Sequence, residues 1–276
     1  ENQQQLEPGI EIIEPMNNPH YEECWRKYHE LRAREGIDPA EARVQMNTRP
    51  TTLAAMLVKL GYADTMLCGV IGRYDRHLRR VRGVFGLHDD MTQPAALSLM
   101  LTPKGAIFIT DTQVHENPNA DELTAITLHA AKAVEMFGIT PKVALLSASN
   151  FGTRADLPSA RHMHAALAKI RARRPDLEIE GEMKADYALI EQLRQEVFPG
   201  NRLQGMANLL IMPNLDAGNI SLNLLKAATD ATMVGPMLLG VDAPVHVLTN
   251  NATTRRIINM AAVAVVEAQM AKNQTH

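Results

Sequence analysis

The sequence predicts an α/β fold of three layers, in which helices cover a mainly parallel sheet. Eight or so short apolar runs alternate with segments of helical period, an order typical of parallel α/β folds. The run at residues 209–212 is apolar throughout, as expected of a strand buried on both faces. A polar loop with Asn214 and Gly218 follows, and then an apolar helix that Asp216 or Asn219 can cap.

The other elements are predicted in the same way along the chain. Apolar residues at helical spacing predict helices over residues 20–35, 49–61, 120–137, 158–173 and 253–272. Asp38 can cap one further short helix. Strands are predicted over residues 64–71, 81–87, 106–111, 142–149 and 233–239, over 245–248, and from residue 178. The last helix is apolar on most faces, so we expect it to be buried or to lie in an interface between subunits.

Composition narrows the class of protein. The 276 residues are 46% hydrophobic with a net charge of -3, which indicates a globular chain and gives no sign of a nucleic-acid partner. Apolar runs stay below the roughly 18 residues of a membrane span, so no membrane partner is predicted. Cys24 and Cys68 have apolar neighbours and are predicted to be reduced core thiols. These features favour the cytoplasm.

Two further absences in the sequence bear on cofactors. The ten histidines are scattered, and His162 and His164 fall on different faces of their helix, so no metal site is predicted. The chain also lacks a strand followed by GxGxxG, so no dinucleotide site is predicted in these residues. The polar start, residues 1–19, is interpreted as a linker or as the cut end of a longer polypeptide.

A basic segment directly follows the strand predicted at residues 64–71. Five arginines lie within ten residues: Arg73, Arg76, Arg79, Arg80 and Arg82. One interpretation is a solvated helix face, and the other is an anion clamp in which guanidinium groups meet phosphate oxygens. The sequence leaves both interpretations open.

A small polar loop follows the strand predicted at residues 142–149. It contains Ser149, Asn150, Gly152, Thr153 and Arg154. Backbone N–H groups of such a loop, just before a helix, suit a phosphate or a carbonyl oxygen. A plain turn is the alternative.

Three motifs carry a resemblance to a known family. PNLDAGN, VGPMLLG and PVHVL, all between residues 213 and 248, resemble the C-terminal half of phosphate acetyltransferases. PVHVL and the terminal NMAAVAVVEAQ are closer to the phosphate acetyltransferase-like domain that ends multimodular NADP-dependent malic enzymes. The resemblance implies two three-layer α/β/α domains with a cleft between them. Domain I would be residues 20–147 plus 241–276, and domain II residues 148–240.

The same resemblance bears on catalysis. In active members of the family a base deprotonates the thiol of CoA, which attacks acetyl phosphate, and donors stabilise the oxyanion. The family has a D-L-S-R-G motif that is followed shortly by an acidic residue. The corresponding residues of this chain are different. Thr249 takes the place of the serine, Asn250 takes that of the arginine, and Asn251 takes that of the glycine. Arg256 occupies the position of the acidic residue. Both the phosphate-facing cation and the base are lost, so the resemblance implies a degenerate catalytic site with no catalytic residue.

The function predicted from this resemblance is that of a regulatory domain of a malic enzyme. It would bind acetyl-CoA as an allosteric effector, an inhibitor by the family's example, and form a homodimer or higher homo-oligomer. NADP and a divalent metal would belong to the malate-oxidising portion elsewhere in the polypeptide. The effector site would comprise Arg73, Arg76, Arg79, Ser149, Asn150, Gly152, Thr153, Arg154, Asn214, Gly218, Asn219, Thr249 and Asn250. Two alternatives stay open: an active phosphate acetyltransferase, and a purely structural dimerisation domain.

Overall fold

A computed structural model describes residues 9–274 of the chain. Within them the α-helices are α1 (Tyr21–Arg32), α2 (Pro39–Thr48), α3 (Pro50–Lys59), α4 (Tyr74–Phe85), α5 (Ala120–Met136), α6 (Pro158–Arg173), α7 (Ala185–Leu189), α8 (Glu191–Val197), α9 (Leu215–Ala228) and α10 (Thr254–Gln274). The strands are β1 (Met66–Cys68), β2 (Ala95–Thr102), β3 (Gly105–Thr110), β4 (Lys142–Leu146), β5 (Glu178–Met183), β6 (Leu209–Ile211), β7 (Thr232–Leu239) and β8 (Val245–Val247).

These strands form two sheets. The larger has six strands in the order β5-β4-β6-β3-β2-β7, and the smaller pairs β1 with β8. Strand β2 is antiparallel to both of its neighbours, while the other paired strands are parallel. The predicted mainly parallel α/β architecture is therefore confirmed.

Helices cover both faces of the larger sheet. On one face the side chains of β3, β4 and β6 pack against α5 and α6, in a core that includes Phe108, Ile126 and Met163. On the other face Ile109, Ala144 and Leu210 pack with residues of α7 and α9. Burial of apolar surface on both sides is what holds such a sheet between two helical layers.

The smaller sheet has its own helical cover. Helices α1 to α4 pack around it in a second core, which contains Cys24, Trp25 and Met56. Helix α10 contacts β1, β7 and β8. Its Met260, Ala264 and Ala268 are buried, whereas Ile258, Val265 and Val266 are exposed. One face of the last helix is thus buried and the opposite face presents apolar side chains, so the predicted place in a subunit interface stays a prediction.

A buried histidine connects β8 to its neighbours. The Leu238 N–H of β7 donates to His246 Nδ1 at 3.1 Å. On the other side of the ring, His246 Nε2 lies 2.9 Å from Glu267 Oε2 on α10. This histidine belongs to the PVHVL motif, and its two ring nitrogens link β8 to β7 and to α10.

The predicted domain boundary does not coincide with the sheet topology. Strands β2 and β3 precede residue 147, yet they lie in the larger sheet with β4 to β7. The division into domains at residues 147 and 240 stays a prediction. Of the predicted linker, residues 1–8 lie outside the described residues, and residues 9–19 include a 3-10 turn at Pro15–Asn17.

Several local predictions need correction. Residues 81–87 do not form a strand, because most of them belong to α4, whose Leu78, Val81 and Phe85 recur at helical spacing. Helix α9 is capped neither by Asp216 nor by Asn219: the Asn214 side chain accepts from the Ala217 N–H at 2.9 Å. Strand β2 and helix α8 were not predicted. Along residues 9–274 we find no helix that is both long and apolar enough for a membrane span.

Candidate functional site

Three loops meet at one edge of the larger sheet. Strands β3, β6 and β4 are parallel neighbours, so the segments that follow them emerge side by side at their carboxyl ends. Ligands of open α/β sheets bind at such edges. The three segments begin at Asp111, Met212 and Ser147.

The loop after β3 is organised around a buried carboxylate. Asp111 Oδ1 accepts from the N–H groups of Ala96, Gln113 and Val114 at 3.2, 2.8 and 3.2 Å. Its Oδ2 accepts from the His115 N–H at 3.0 Å and lies 2.7 Å from His115 Nδ1. Sequence reasoning named neither residue as part of a site. One sequence signal for them is an acidic residue directly after a buried strand.

The loop after β4 is organised around a second buried carboxylate, Glu182 of β5. Glu182 Oε1 accepts from Ser149 Oγ at 2.8 Å and from the Gly152 N–H at 2.7 Å. The other N–H groups of the loop are also bonded internally: Asn150 to Thr153 Oγ1, Phe151 to Glu182 O, Thr153 to Asn150 O and Arg154 to Ser149 Oγ. A phosphate bound by these predicted N–H donors would therefore have to replace Glu182 or a loop oxygen as acceptor.

Arg154, at the end of this loop, is already paired. Its Nε and Nη2 donate to Asp156 at 2.9 and 2.8 Å. The Asp156 carboxylate raises the pKa of Arg154. The side chain is exposed, so a ligand phosphate would compete with Asp156 for the same guanidinium face.

The start of α9 is packed closely against the loop after β3. A Cβ atom on Gly218 would lie 2.0 Å from the Asp111 carbonyl oxygen, so only glycine permits this approach. Asn219 Nδ2 donates to the Thr112 carbonyl oxygen at 3.3 Å. Together with the Asn214 cap, these three predicted site residues hold the helix at the edge of the sheet.

Helix α4 divides the predicted arginine clamp between two cavities. The first, which we call the cleft cavity, has a volume of about 440 Å³ and lies between α4 and the loops of the larger sheet. Its lining includes Arg73, Tyr74 and Arg79 on one side, and Gln113 and Leu215 on the other. Arg76 lies instead in a second cavity, of about 470 Å³, which Arg79 also borders. The three arginines predicted to act together thus face two different cavities.

Asp75 partly neutralises the arginines of the cleft cavity. Arg73 donates to it through Nε and Nη2 at 3.0 and 3.3 Å, and Arg79 Nη2 lies 3.6 Å away. Tyr74 Oη is buried without a hydrogen-bond partner among the described residues, and burial raises the pKa of Tyr74. The cavity therefore offers partly neutralised cations beside the edge of the sheet.

The positions of the family motif lie after β8, beside the end of β1. The Leu248 N–H donates to the Cys68 carbonyl oxygen at 2.7 Å, and a Cβ on Gly69 would clash with Leu248 O. Thr249 Oγ1 donates to Asn251 Oδ1 at 2.6 Å. Asn250 is exposed at the tip of the loop.

A buried guanidinium occupies the place expected for the acidic residue. Arg256 is 8% exposed, and its Nη1 donates to Thr249 Oγ1 and Asn251 Oδ1, both at 3.2 Å. Burial lowers the pKa of Arg256, although an arginine keeps its charge in proteins. Among the residues described, no carboxylate pairs with it.

The family model for phosphate acetyl/butaryl transferases matches residues 1–265. The chain belongs to this family. Among phosphate acetyltransferases, that of Acetivibrio thermocellus is 31% identical over 272 residues, which are 96% of this chain and 81% of that protein. The EutD phosphotransacetylase of Staphylococcus aureus has the same fold, with a TM-score of 0.85 at 24% identity over 95% of this chain and 79% of that one.

A higher identity links the chain to another kind of protein. The NADP-dependent malic enzyme of Haemophilus influenzae is 47% identical over 260 residues, which are 94% of this chain but 34% of that protein. The chain therefore spans about a third of the length of this relative. Within the phosphate acetyltransferase family it is similar to the phosphate acetyltransferase-like part of a malic enzyme.

Proposed function

We propose that this chain is the regulatory portion of a malic enzyme, and that it binds acetyl-CoA without transferring the acetyl group. The malate-oxidising portion, with NADP and a divalent metal, would lie elsewhere in a longer cytoplasmic polypeptide. The observation that carries the proposal is Arg256, a buried cation at the position where the family has an acidic residue. Similarity to a malic enzyme over 94% of the chain supports it.

The chemistry of acetyl transfer explains why Arg256 matters. A general base has to accept the proton of the CoA thiol, and a guanidinium that stays charged cannot accept it. Asn250 also lacks the guanidinium charge that the family motif places against phosphate. Removing one oxyanion donor typically lowers kcat by about 10²–10³. The loss of both groups should leave little transfer activity.

Binding of acetyl-CoA has different requirements, and the arginines that line the cleft cavity support it. Arg73 and Arg79 supply cations for phosphate oxygens. Asn214 and Asn219 lie at the start of α9, whose Leu215 lines the same cavity, and Thr249 and Asn250 lie after β8. We propose these residues, together with the loop from Ser149 to Arg154, as the acetyl-CoA site.

Two measurements on the same preparation test the proposal. Thioester formation from acetyl phosphate and CoA should be undetectable at high protein concentration, and calorimetry should show saturable binding of acetyl-CoA. Arg79→Ala should weaken that binding about 10-fold, the effect of one charge-assisted hydrogen bond. Arg34→Ala, a change at an exposed arginine of the turn after α1, serves as control.

The outcomes separate the alternatives. Turnover near an ordinary kcat, on the order of 10 s⁻¹, would show that the chain is an active phosphate acetyltransferase. The absence of both turnover and binding would indicate a purely structural domain. In the longer enzyme, Arg79→Ala should blunt the response of malate oxidation to acetyl-CoA and preserve the basal rate, because allostery couples distinct sites.

The oligomeric part of the proposal rests on α10. Its exposed face carries Ile258, Val265 and Val266, and we propose that this face pairs with the same face of a second copy. Sedimentation at micromolar concentration should show a dimer, and Val265→Asp should convert it to a 30.5 kDa monomer. A wild-type chain that sediments only as a monomer would contradict this part alone.

A further inference from the structure

The second cavity beside α4, which we call the arginine pocket, has an unusual lining. Nine residues line it, all from α1 to α4 and the segments that join them. Five of the nine are arginines: Arg32, Arg49, Arg76, Arg79 and Arg80. The lining has no acidic residue. In a chain whose net charge is -3, this is a marked local concentration of positive charge.

Most of the cationic charge in the pocket is unpaired. Arg32 Nη2 pairs with Glu35 at 2.7 Å, and Arg79 lies 3.6 Å from Asp75. In contrast, the side chains of Arg49, Arg76 and Arg80 form neither a hydrogen bond nor an ion pair with any residue of the described range 9–274. Burial lowers the pKa of Arg80, and the nearby Arg49 and Arg76 lower it further. Like charges are thus held together without a carboxylate between them.

Other arginines of the chain show what an ordinary surface pairing looks like. Arg26 pairs with Glu22 one turn earlier in α1, at 3.1 Å. Arg174, after α6, pairs with both Asp176 and Glu135. Pairs of this kind offset the repulsion between like charges on a surface. Three of the five arginines of the arginine pocket lack such partners among the described residues, so their charges remain available to a ligand.

A glycine allows Arg32 to lie across the pocket. Gly83 is in α4, and a Cβ atom there would stand 2.7 Å from Arg32 Nη1. The same Nη1 donates to the Gly83 carbonyl oxygen at 3.3 Å. Glycine within a helix is destabilising relative to alanine. Here the absence of a side chain leaves room for the Arg32 guanidinium against α4.

We propose that the arginine pocket binds a small molecule that carries two or more phosphate groups. Guanidinium groups match phosphate oxygens in a two-pronged geometry. A single phosphate monoester carries about 1.5 to 2 negative charges, too few to balance three unpaired arginines together with Arg32 and Arg79. The cavity volume of about 470 Å³ falls in the range of roughly 300–1,000 Å³ for small-molecule sites. The proposal does not require acetyl-CoA binding in the cleft cavity, but Arg79 borders both cavities, and the test below therefore uses Arg76 and Arg80.

Calorimetric titration of the chain with inorganic tripolyphosphate tests this proposal. We expect one-to-one binding that weakens as salt is raised, with orthophosphate binding much more weakly. Arg76→Gln and Arg80→Gln should each reduce the affinity about 10-fold, the effect of one charge-assisted hydrogen bond. Arg173→Gln removes the same charge from an exposed position on α6 and should leave the affinity unchanged. Thermal unfolding of each variant checks that it is folded.

Several results would overturn the assignment. An equal loss of affinity in Arg173→Gln would show that the binding arises from the general positive charge of the surface. If Arg73→Gln lowered the affinity and Arg76→Gln and Arg80→Gln did not, the ligand would be assigned to the cleft cavity instead. Binding of orthophosphate as tight as that of tripolyphosphate would remove the need for several phosphates. Equally tight binding of a single-stranded oligonucleotide through the same arginines would make the pocket a nucleic-acid surface instead.

Discussion

The loops at the ends of the strands have centres of opposite charge. After β3 and β4, the buried carboxylates Asp111 and Glu182 collect backbone N–H groups. After β8, the buried guanidinium of Arg256 donates to the side-chain oxygens of Thr249 and Asn251. Both arrangements hold a loop in place. The first places a negative charge beside a ligand, and the second places a positive charge there.

This difference bears directly on where an anion can bind. In a loop centred on a carboxylate the N–H groups are already used, and the central charge repels phosphate. In a loop centred on an unpaired guanidinium the charge attracts phosphate, and only neutral oxygens compete for it. We therefore expect the carboxylates to contribute mainly to the stability of the fold, and Arg256 to contribute mainly to the binding of an anion.

Asp111→Ala should produce the largest effect. The change leaves four backbone N–H groups and the His115 ring without their acceptor. Hydrogen bonds to charged groups contribute roughly 1.5–3 kcal/mol each, and a buried donor left unpaired adds a penalty. Losses above about 4–5 kcal/mol are exceptional for one substitution. We expect the free energy of unfolding, measured with urea, to fall by about 4 kcal/mol.

Asp89→Ala provides the control for this prediction. Asp89 is exposed in the turn before β2, so its removal should change the free energy of unfolding by less than about 0.5 kcal/mol. If Asp111→Ala were as mild as Asp89→Ala, the buried carboxylate would not be the centre of its loop.

Glu182 permits a graded comparison. Glu182→Ala leaves Ser149 Oγ and the Gly152 N–H without an acceptor, and should lower the free energy of unfolding by about 2–3 kcal/mol. Glu182→Gln can keep the single oxygen that accepts both bonds but loses the negative charge, so about half of that loss is expected. Amide exchange at residues 149–154 should accelerate more in the alanine variant than in the glutamine variant. Equal losses in the two variants would show that the negative charge of Glu182, and not its acceptor oxygen, stabilises the loop.

Local patterns in the sequence identified most of the fold. Helical spacing predicted α1, α3, α5, α6 and α10, and apolar runs predicted β3, β4 and β6. Residues 81–87 were predicted wrongly because Val81, Val84 and Phe85 suit a strand as well as a helix when the window is short. Sheet order could not be predicted, since β2 joins β3 and β7 through contacts distant in sequence.

The site was less predictable than the fold, because the role of a charged residue depends on the groups with which it forms hydrogen bonds and ion pairs. Arg76 and Arg154 look alike in the sequence, yet Arg154 is held by Asp156 and Arg76 is unpaired. Glu182 was missed because the donors that it accepts from lie about thirty residues earlier. Arg256 was found because it departs from a motif. Its burial beside Thr249 and Asn251 required the structure.

Arg256→Gln should have the smallest effect on stability and decides whether the comparison holds. Because a buried charge without a charged partner carries a desolvation penalty, its replacement by a neutral amide should shift the free energy of unfolding by less than about 1 kcal/mol. Arg256 donates to Thr249, a residue of the proposed acetyl-CoA site, so the affinity for acetyl-CoA should nevertheless fall about 10-fold, as expected for one charge-assisted bond. Arg255→Gln, at the exposed neighbouring position, should change neither quantity. If Arg256→Gln destabilised the protein as much as Asp111→Ala, the guanidinium would be a structural centre equivalent to the carboxylates, and the contrast between the loops would fail.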